Sequence, residues 1–220
     1  MPRFKRLFSK WNACRRVFPK PISMDIIVNQ FNVNYGTQFY MYSLMDDIPI
    51  RLATKADAKY ALLITAEMKA SALARGTGIA NRTPESIIKK MESGHAVIAV
   101  SNEGQWAGFS YIEAWQGGKF VSNSGMIVSP AFRGRGVASA IKHKIFWLSR
   151  TLYPQAHIFS ITTGAAIMKM NTALGFVPVP FSEITNDCGF WEKCRHCVNF
   201  GILERMEYKH CLCTAMLYHL

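Results

Sequence analysis

From residue 96 onward the chain alternates short apolar runs with helical patterns in a regular order. Ala96–Val100 is an unbroken apolar run, the pattern of a strand covered on both faces. Ser101–Gly104 reads as a turn, Trp106 to Trp115 as a second strand, Gln116–Gly118 as another turn, and Lys119 to Val128 as a third strand. Val137, Ile141, Ile145, Leu148 and Leu152 then recur at helical spacing, which predicts a helix over 137–152. Tyr153–Pro154 breaks it, and His157 to Thr162 returns to a strand. A short helix over Ala165 to Ala173 ends near Gly175, Phe176 to Phe181 leads back into the sheet, and Cys211 to Tyr218 is the last strand. Between Ser182 and His210 no clean period shows.

Upstream, Ile50 to Ala53 reads as a first strand. Thr54–Asp57 supplies cap chemistry for a helix from about Ala56 to Ala74, with Leu62, Leu63, Ala66 and Ala70 as its expected apolar face. Arg75–Gly76–Thr77–Gly78 stops that helix. Thr83 with Pro84 starts another, its Ile87, Ile88 and Met91 facing inward until Gly94. The element order is β-α-α-β-β-β-α-β-α-β-β, with neither an internal repeat nor a low-complexity tract.

Composition narrows the class. Half of the 220 residues are hydrophobic and 18% are charged, which fits one globular domain with an appendage and excludes a largely disordered chain. The net charge is +12, but residues 1–24 carry seven basic side chains and no acid, which leaves +5 for the rest. The expected division is a basic N-terminal extension over 1–47 and a folded domain over 48–220. An excess of that size suits a phosphorylated ligand and an acidic substrate, but does not require either. No apolar run approaches the ~18 residues of a membrane span, and six cysteines without an export signal point to a cytoplasmic protein.

The chemistry concentrates where the third strand of the meander meets the long helix. Arg133–Gly134–Arg135–Gly136–Val137–Ala138 puts two glycines and two arginines at a helix start. A helix N-terminus presents unpartnered N–H groups and partial positive charge, and glycines let the chain approach an anion without a Cβ in the way. This is a seat for a diphosphate.

The same hexapeptide resembles the signature of the GNAT superfamily of acyl-CoA-dependent N-acyltransferases, and Leu174–Gly175–Phe176 resembles its second landmark. Arg75 to Ala80, Val121 to Gly125, Thr162–Thr163–Gly164 and the cysteine-rich tail are similar to a bacterial group that acylates the α-amine of glutamate in arginine biosynthesis. The resemblance covers roughly residues 48–220. It implies an α+β fold, a mixed sheet of about six to seven strands with about four helices, and a cysteine-rich insertion before the last strand. It further implies acetyl-CoA or succinyl-CoA as donor and a small amino acid as acceptor. Coenzyme A would lie along the backbone of Met126, Ile127 and Val128, with its diphosphate on Arg133 to Ala138. A homodimer is compatible with this reading.

Departures from the superfamily pattern fall on the catalytic groups. Where many relatives carry a tyrosine that protonates the leaving thiolate stands Asn171, and where a carboxylate base is usual stands Ser122. Asn171 is retained as a contact to the thioester sulfur or pantetheine, with Tyr218 or water as proton source. Glu113 is the best carboxylate for a base acting through water, with Glu183 behind it. Arg75 and Arg82 could clamp acceptor carboxylates, since a guanidinium fork matches a carboxylate in two parallel hydrogen bonds. Ser122, Asn123, Ser124, Thr162 and Thr163 are polar at sheet ends and are candidates for reading the acceptor's amine and carboxylate.

Cys194, Cys197, Cys211 and Cys213 have spacing suited to a tetrahedral structural zinc in a knuckle over 188–213, with Cys188, His196 and His210 as competing ligands. Free core cysteines and a redox pair are the other readings. The remaining functional alternatives are acetylation of a polyamine, an antibiotic or a protein N-terminus, and a basic zinc-knuckle module that binds RNA. The last is disfavoured because too few aromatics interleave with the basic residues.

Overall fold

The structure, a computed structural model, describes residues 47–76 and 82–220. The basic extension, apart from Asp47, and residues 77–81 lie outside the described residues. Seven strands form one sheet: β1 (Ile50–Leu52), β2 (Ala96–Val100), β3 (Trp106–Trp115), β4 (Phe120–Val128), β5 (His157–Thr162), β6 (Val177–Val179) and β7 (Thr214–Tyr218). Their order is β1-β2-β3-β4-β5-β7-β6, and every neighbouring pair is antiparallel except β4 with β5. Six α-helices are described: α1 (Ala61–Ala74), α2 (Pro84–Glu92), α3 (Val137–Leu152), α4 (Ala165–Ala173), and the short α5 (Cys188–Glu192) and α6 (Phe200–Arg205). The mixed α+β architecture is the expected one. The segment that shows no period in sequence holds two helices of five and six residues, too short to display a repeat. No helix among the described residues is long and apolar enough to cross a membrane.

The two faces of the sheet are covered by different elements. Val137, Ile141, Ile145, Leu148 and Leu152 of α3 are buried against Val97, Ala99, Ala107, Ile112 and Val121, as their spacing predicts. Gly108 makes that approach possible. A Cβ there would stand 2.6 Å from Ile141 Cδ1 and 3.1 Å from the Ile127 carbonyl oxygen. On the opposite face, α1 and α2 pack Ile64, Met68, Ile87 and Met91 onto Ile98, Phe109 and Ile127. Further along that face, α5 and α6 cover Trp115, Phe120 and Phe159 with Trp191 and Leu203.

One expected face is wrong. α1 buries Ala61, Ile64, Met68 and Ala72, whereas Leu62 and Leu63 are 71% and 53% exposed. The helix is apolar on nearly every side, so its period alone does not select the buried stripe.

Candidate functional site

Two features of β4 create an opening. The ladder between β3 and β4 pairs Phe109 with Ile127 but Tyr111 with Ser124, so β4 spends one more residue than β3 over that interval. This bulge centres on Gly125, whose φ of +65° favours glycine. The bulge also reverses which residues face which layer: Met126 and Val128 turn towards α3 while Ile127 joins Phe109 on the other side. The second feature is a splay. β4 and β5 pair only from Phe120–Ser122 to His157–Phe159, then separate, which opens the β4 edge beyond Ser122.

The splay leads to the start of α3. Gly134 and Gly136 both have positive φ, +79° and +81°, and nothing lies within 4 Å of where a Cβ would sit on either. Gly136 is the N-cap, no side chain caps the helix, and its first turn has no acidic residue. The N–H groups of that turn are thus left without a side-chain cap, the arrangement that binds a phosphate. Arg133 braces the turn. Its Nη2 pairs with Glu67 of α1 at 2.7 Å and its Nε donates to the Val128 carbonyl oxygen at 3.3 Å. Arg135 stacks over the Phe132 ring at 5.4 Å.

On the α1/α2 face, beside the bulge, lies a cluster of charge. Glu113 accepts from Lys90 Nζ at 2.7 Å, and Lys193 Nζ donates to both of its oxygens at 2.6 Å. Arg82 Nε donates to the Tyr111 hydroxyl at 2.6 Å, and Arg82 and Lys90 both lie over the Tyr111 ring. Burial opposes ionisation of Glu113, but the two ammonium groups prevail and hold its carboxyl below the ordinary range. Burial draws Lys193 below its ordinary value against the pull of Glu113. The Glu113 carboxylate is thus ionised and engaged at neutral pH, an arrangement that weakens it as a base.

The other expected site residues divide. Ser124 stands at the bulge, where its hydroxyl donates to Ser122 Oγ at 3.2 Å. Ser122 is buried and accepts from Trp115 Nε1 at 2.9 Å, so it serves the sheet. Asn123 faces the other way, beneath α3. Its Nδ2 donates to Ser149 Oγ at 2.7 Å and its Oδ1 accepts from Lys142 Nζ at 3.2 Å. Thr162 ends β5 on the open side of the splay and Thr163 follows it, with Thr162 Oγ1 accepting from Gly164 N at 3.0 Å. Arg75 is exposed and donates to Ser71 Oγ within its own helix segment, while Glu183 is exposed on a single 3-10 turn.

Asn171 is fully buried, with Nδ2 donating to Met216 Sδ at 3.5 Å and Oδ1 lacking a hydrogen-bond partner among the described residues. Tyr218 pairs with Ile158, opposite Val121 and so four residues before Gly125 along β4. It packs on Phe146 and Phe176 at 5.0 and 5.8 Å between ring centres. The structure therefore does not bring Tyr218 to the bulge. The sequence gives no sign of Lys90, Lys193 or Tyr111 as site residues, because their meeting depends on contacts between distant segments.

The four cysteines of the expected knuckle do come near one another. Burial, with the neighbouring thiols adding to it, pushes Cys194 up to about 11 and Cys213 up to about 12. Among the described residues, however, no three His, Cys, Asp or Glu side chains form a group that could hold a metal ion, and the described cysteines form no disulfide. Cys194, Cys211 and Cys213 pack against the apolar cluster around Trp191 and Leu203, as small core side chains do. The described residues therefore lend the zinc expectation no support.

No family model matches the chain, and no curated protein sequence does. Solved structures do match it in shape. Rv2747 from Mycobacterium tuberculosis, in complex with coenzyme A and a second ligand, is 18% identical over 78% of this chain and 99% of its own, with a TM-score of 0.56. N-acetylglutamate synthase from Neisseria gonorrhoeae, complexed with coenzyme A and N-acetyl-glutamate, is 14% identical over 79% of this chain, with a TM-score of 0.57. This chain spans 35% of that protein's length. A GNAT superfamily phosphinothricin acetyltransferase from Sinorhizobium meliloti, in complex with acetyl-CoA, is 17% identical over 78% of this chain and 86% of its own, with a TM-score of 0.52. At these identities the likeness establishes architecture: the chain has the fold of the GNAT acetyltransferases.

Proposed function

We propose that this chain is an acyl-CoA-dependent N-acyltransferase acting on the α-amine of an amino acid, with glutamate as the foremost acceptor. The observation that carries the proposal is the continuity of the β4/β5 splay with the uncapped, doubly glycine-bearing start of α3. An open strand edge suits the amides of a pantetheine arm, and the helix start suits a diphosphate, so the two ends of one cofactor meet complementary groups.

Acyl-CoA supplies an activated thioester. The backbone N–H of Met126, next to the bulge, is the donor assigned to its carbonyl oxygen, where charge develops as the amine attacks, whereas Ile127, in step with Ser129 whose N–H donates to Ala107, turns its own N–H towards β3. The turn from Arg133 to Ala138 holds the phosphates, and Val128 continues the strand contact. The amine nitrogen forms the new bond to the acyl carbon, the carbon–sulfur bond breaks, and the proton lost by the amine balances the departing thiolate. Glu113 orders the neighbouring cations rather than accepting that proton. The cationic surroundings of Glu113 disfavour a polyamine or another cationic acceptor. No metal is assigned a role.

Calorimetric titration with coenzyme A, paired with thiol release from acetyl-CoA or succinyl-CoA in the presence of glutamate, tests the proposal. Gly136→Trp places a bulky side chain in the seat. It is expected to weaken coenzyme A binding at least tenfold and abolish thiol release, while the far-UV circular dichroism stays that of the parent. A folded wild-type protein that does not bind coenzyme A refutes the proposal.

A further inference from the structure

Lys193 belongs to the cysteine-rich insertion, yet its Nζ reaches Glu113, eighty residues earlier, on the floor beside the β4 bulge. Lys90 and Lys193 stand there together on the carboxylate of Glu113, beside the Tyr111 hydroxyl that accepts from Arg82. The lysine side chains are 27% and 43% exposed, so solvent and solutes reach them, whereas Glu113 beneath them is 13% exposed. The cluster is also tied to the reacting locus. The Tyr111 ring lies against Gly125, close to where a Cβ on that glycine would point.

A surplus of partly desolvated cations over one carboxylate leaves positive field to be met by an anion from outside. We propose that Lys193 and Lys90 bind the side-chain carboxylate of an acidic acceptor, and that the insertion is the element which specifies an acidic amino acid. This rests on the acyltransferase reading and deepens it. Glu113 acts as the fixed counter-ion that holds both lysines extended between turnovers. Lys193 is a specificity residue that touches the acceptor, distinct from the groups that polarise the thioester.

Isothermal titration of the full chain with L-glutamate and with L-glutamine, each with and without coenzyme A, tests the inference alongside steady-state kinetics. Lys193→Met is expected to raise the Kd and KM for glutamate about tenfold or more with little change in kcat. Glutamine binding and coenzyme A affinity stay within about twofold, and Lys193→Arg recovers most of the loss. Lys90→Met serves as a second variant if Lys193→Met does not fold. Equal affinity for glutamate and glutamine in the wild type overturns the inference, as does an unchanged glutamate Kd in both folded variants. Failure to bind coenzyme A instead refutes the underlying acyltransferase reading, while the glutamate titration without cofactor still decides the acceptor site.

Discussion

The ring of Tyr111 occupies the space into which a side chain at residue 125 would project, with Cδ1 2.8 Å from an ideal Cβ and Cε1 closer still. Gly125 also holds φ at +65°, so the β4 bulge depends on a residue without a Cβ for two separate reasons. Tyr111 in turn is hydrogen bonded to Arg82, which links the bulge to the charged floor.

Gly125→Ala is therefore expected to destabilise the fold by about 2–4 kcal/mol, combining left-handed strain with overpacking. Because the ring and strand must shift, coenzyme A affinity should fall with it. Thermal unfolding and calorimetry on the same preparation check both. An unchanged melting temperature would show that the bulge tolerates a side chain.

Gly108→Val tests the packing of α3 alone. The added side chain meets Ile141, Val137 and the Ile127 carbonyl, so a loss of about 1–3 kcal/mol is expected in denaturant unfolding. Chain flexibility at Ile141 relieves only the contact with its own terminal methyl.

Lys142 sets a pH dependence. It is 2% exposed, its polar contact is Asn123 Oδ1, its ammonium lies 4.9 Å from the Phe176 ring centre, and burial lowers its pKa to about 7. In the unfolded chain the same amine titrates near its ordinary 10.5. Between these values the unfolded state binds a proton that the native state lacks, so stability rises with pH across that window. Below about 7 the native state is protonated as well, so the dependence levels off with the gain already lost. This group contributes a slope approaching about 1.4 kcal/mol per pH unit inside the window. Denaturant melts at pH 7, 8 and 9 should show that slope in the wild type and its loss in Lys142→Met. Equal slopes would place a charged, hydrated lysine at this position.

The thiols of Cys194 and Cys213, pushed up to about 11 and about 12, hold little thiolate at neutral pH. Alkylation with iodoacetamide at pH 7.5, followed by peptide mass mapping, should be at least about a hundredfold slower at these two sites than for a free thiol. Rapid modification of either would show that the insertion opens readily, or that its thiols are more ionised than their burial implies.

Much of the fold could be read in advance because its signals are local. The burial of Val137, Ile141 and Ile145 follows from helical spacing, and the cap at Thr83 with Pro84 marks the start of α2; each depends on residues within a few positions of one another. The turn from Arg133 to Gly136 was legible for the same reason, since a helix start needs only neighbouring residues to form its ring of N–H groups. α1 was legible as a helix but not in orientation, because Leu62 and Ile64 carry equal apolar weight and only the neighbouring α2 and β3 decide which is covered.

The amino-acid sequence by itself determined the order of elements outside the 182–210 insertion, the strand-to-helix turn with its two glycines, and the grouping of cysteines near the end of the chain. The tertiary structure decided which charges meet: Lys90 and Lys193 converge on Glu113, Asn123 turns inward to Lys142, and Tyr218 is carried away from the bulge. The physical reason is range. Backbone propensity and periodicity act over a few residues, whereas Coulomb attraction and close packing act across space between segments whose approach no local pattern encodes.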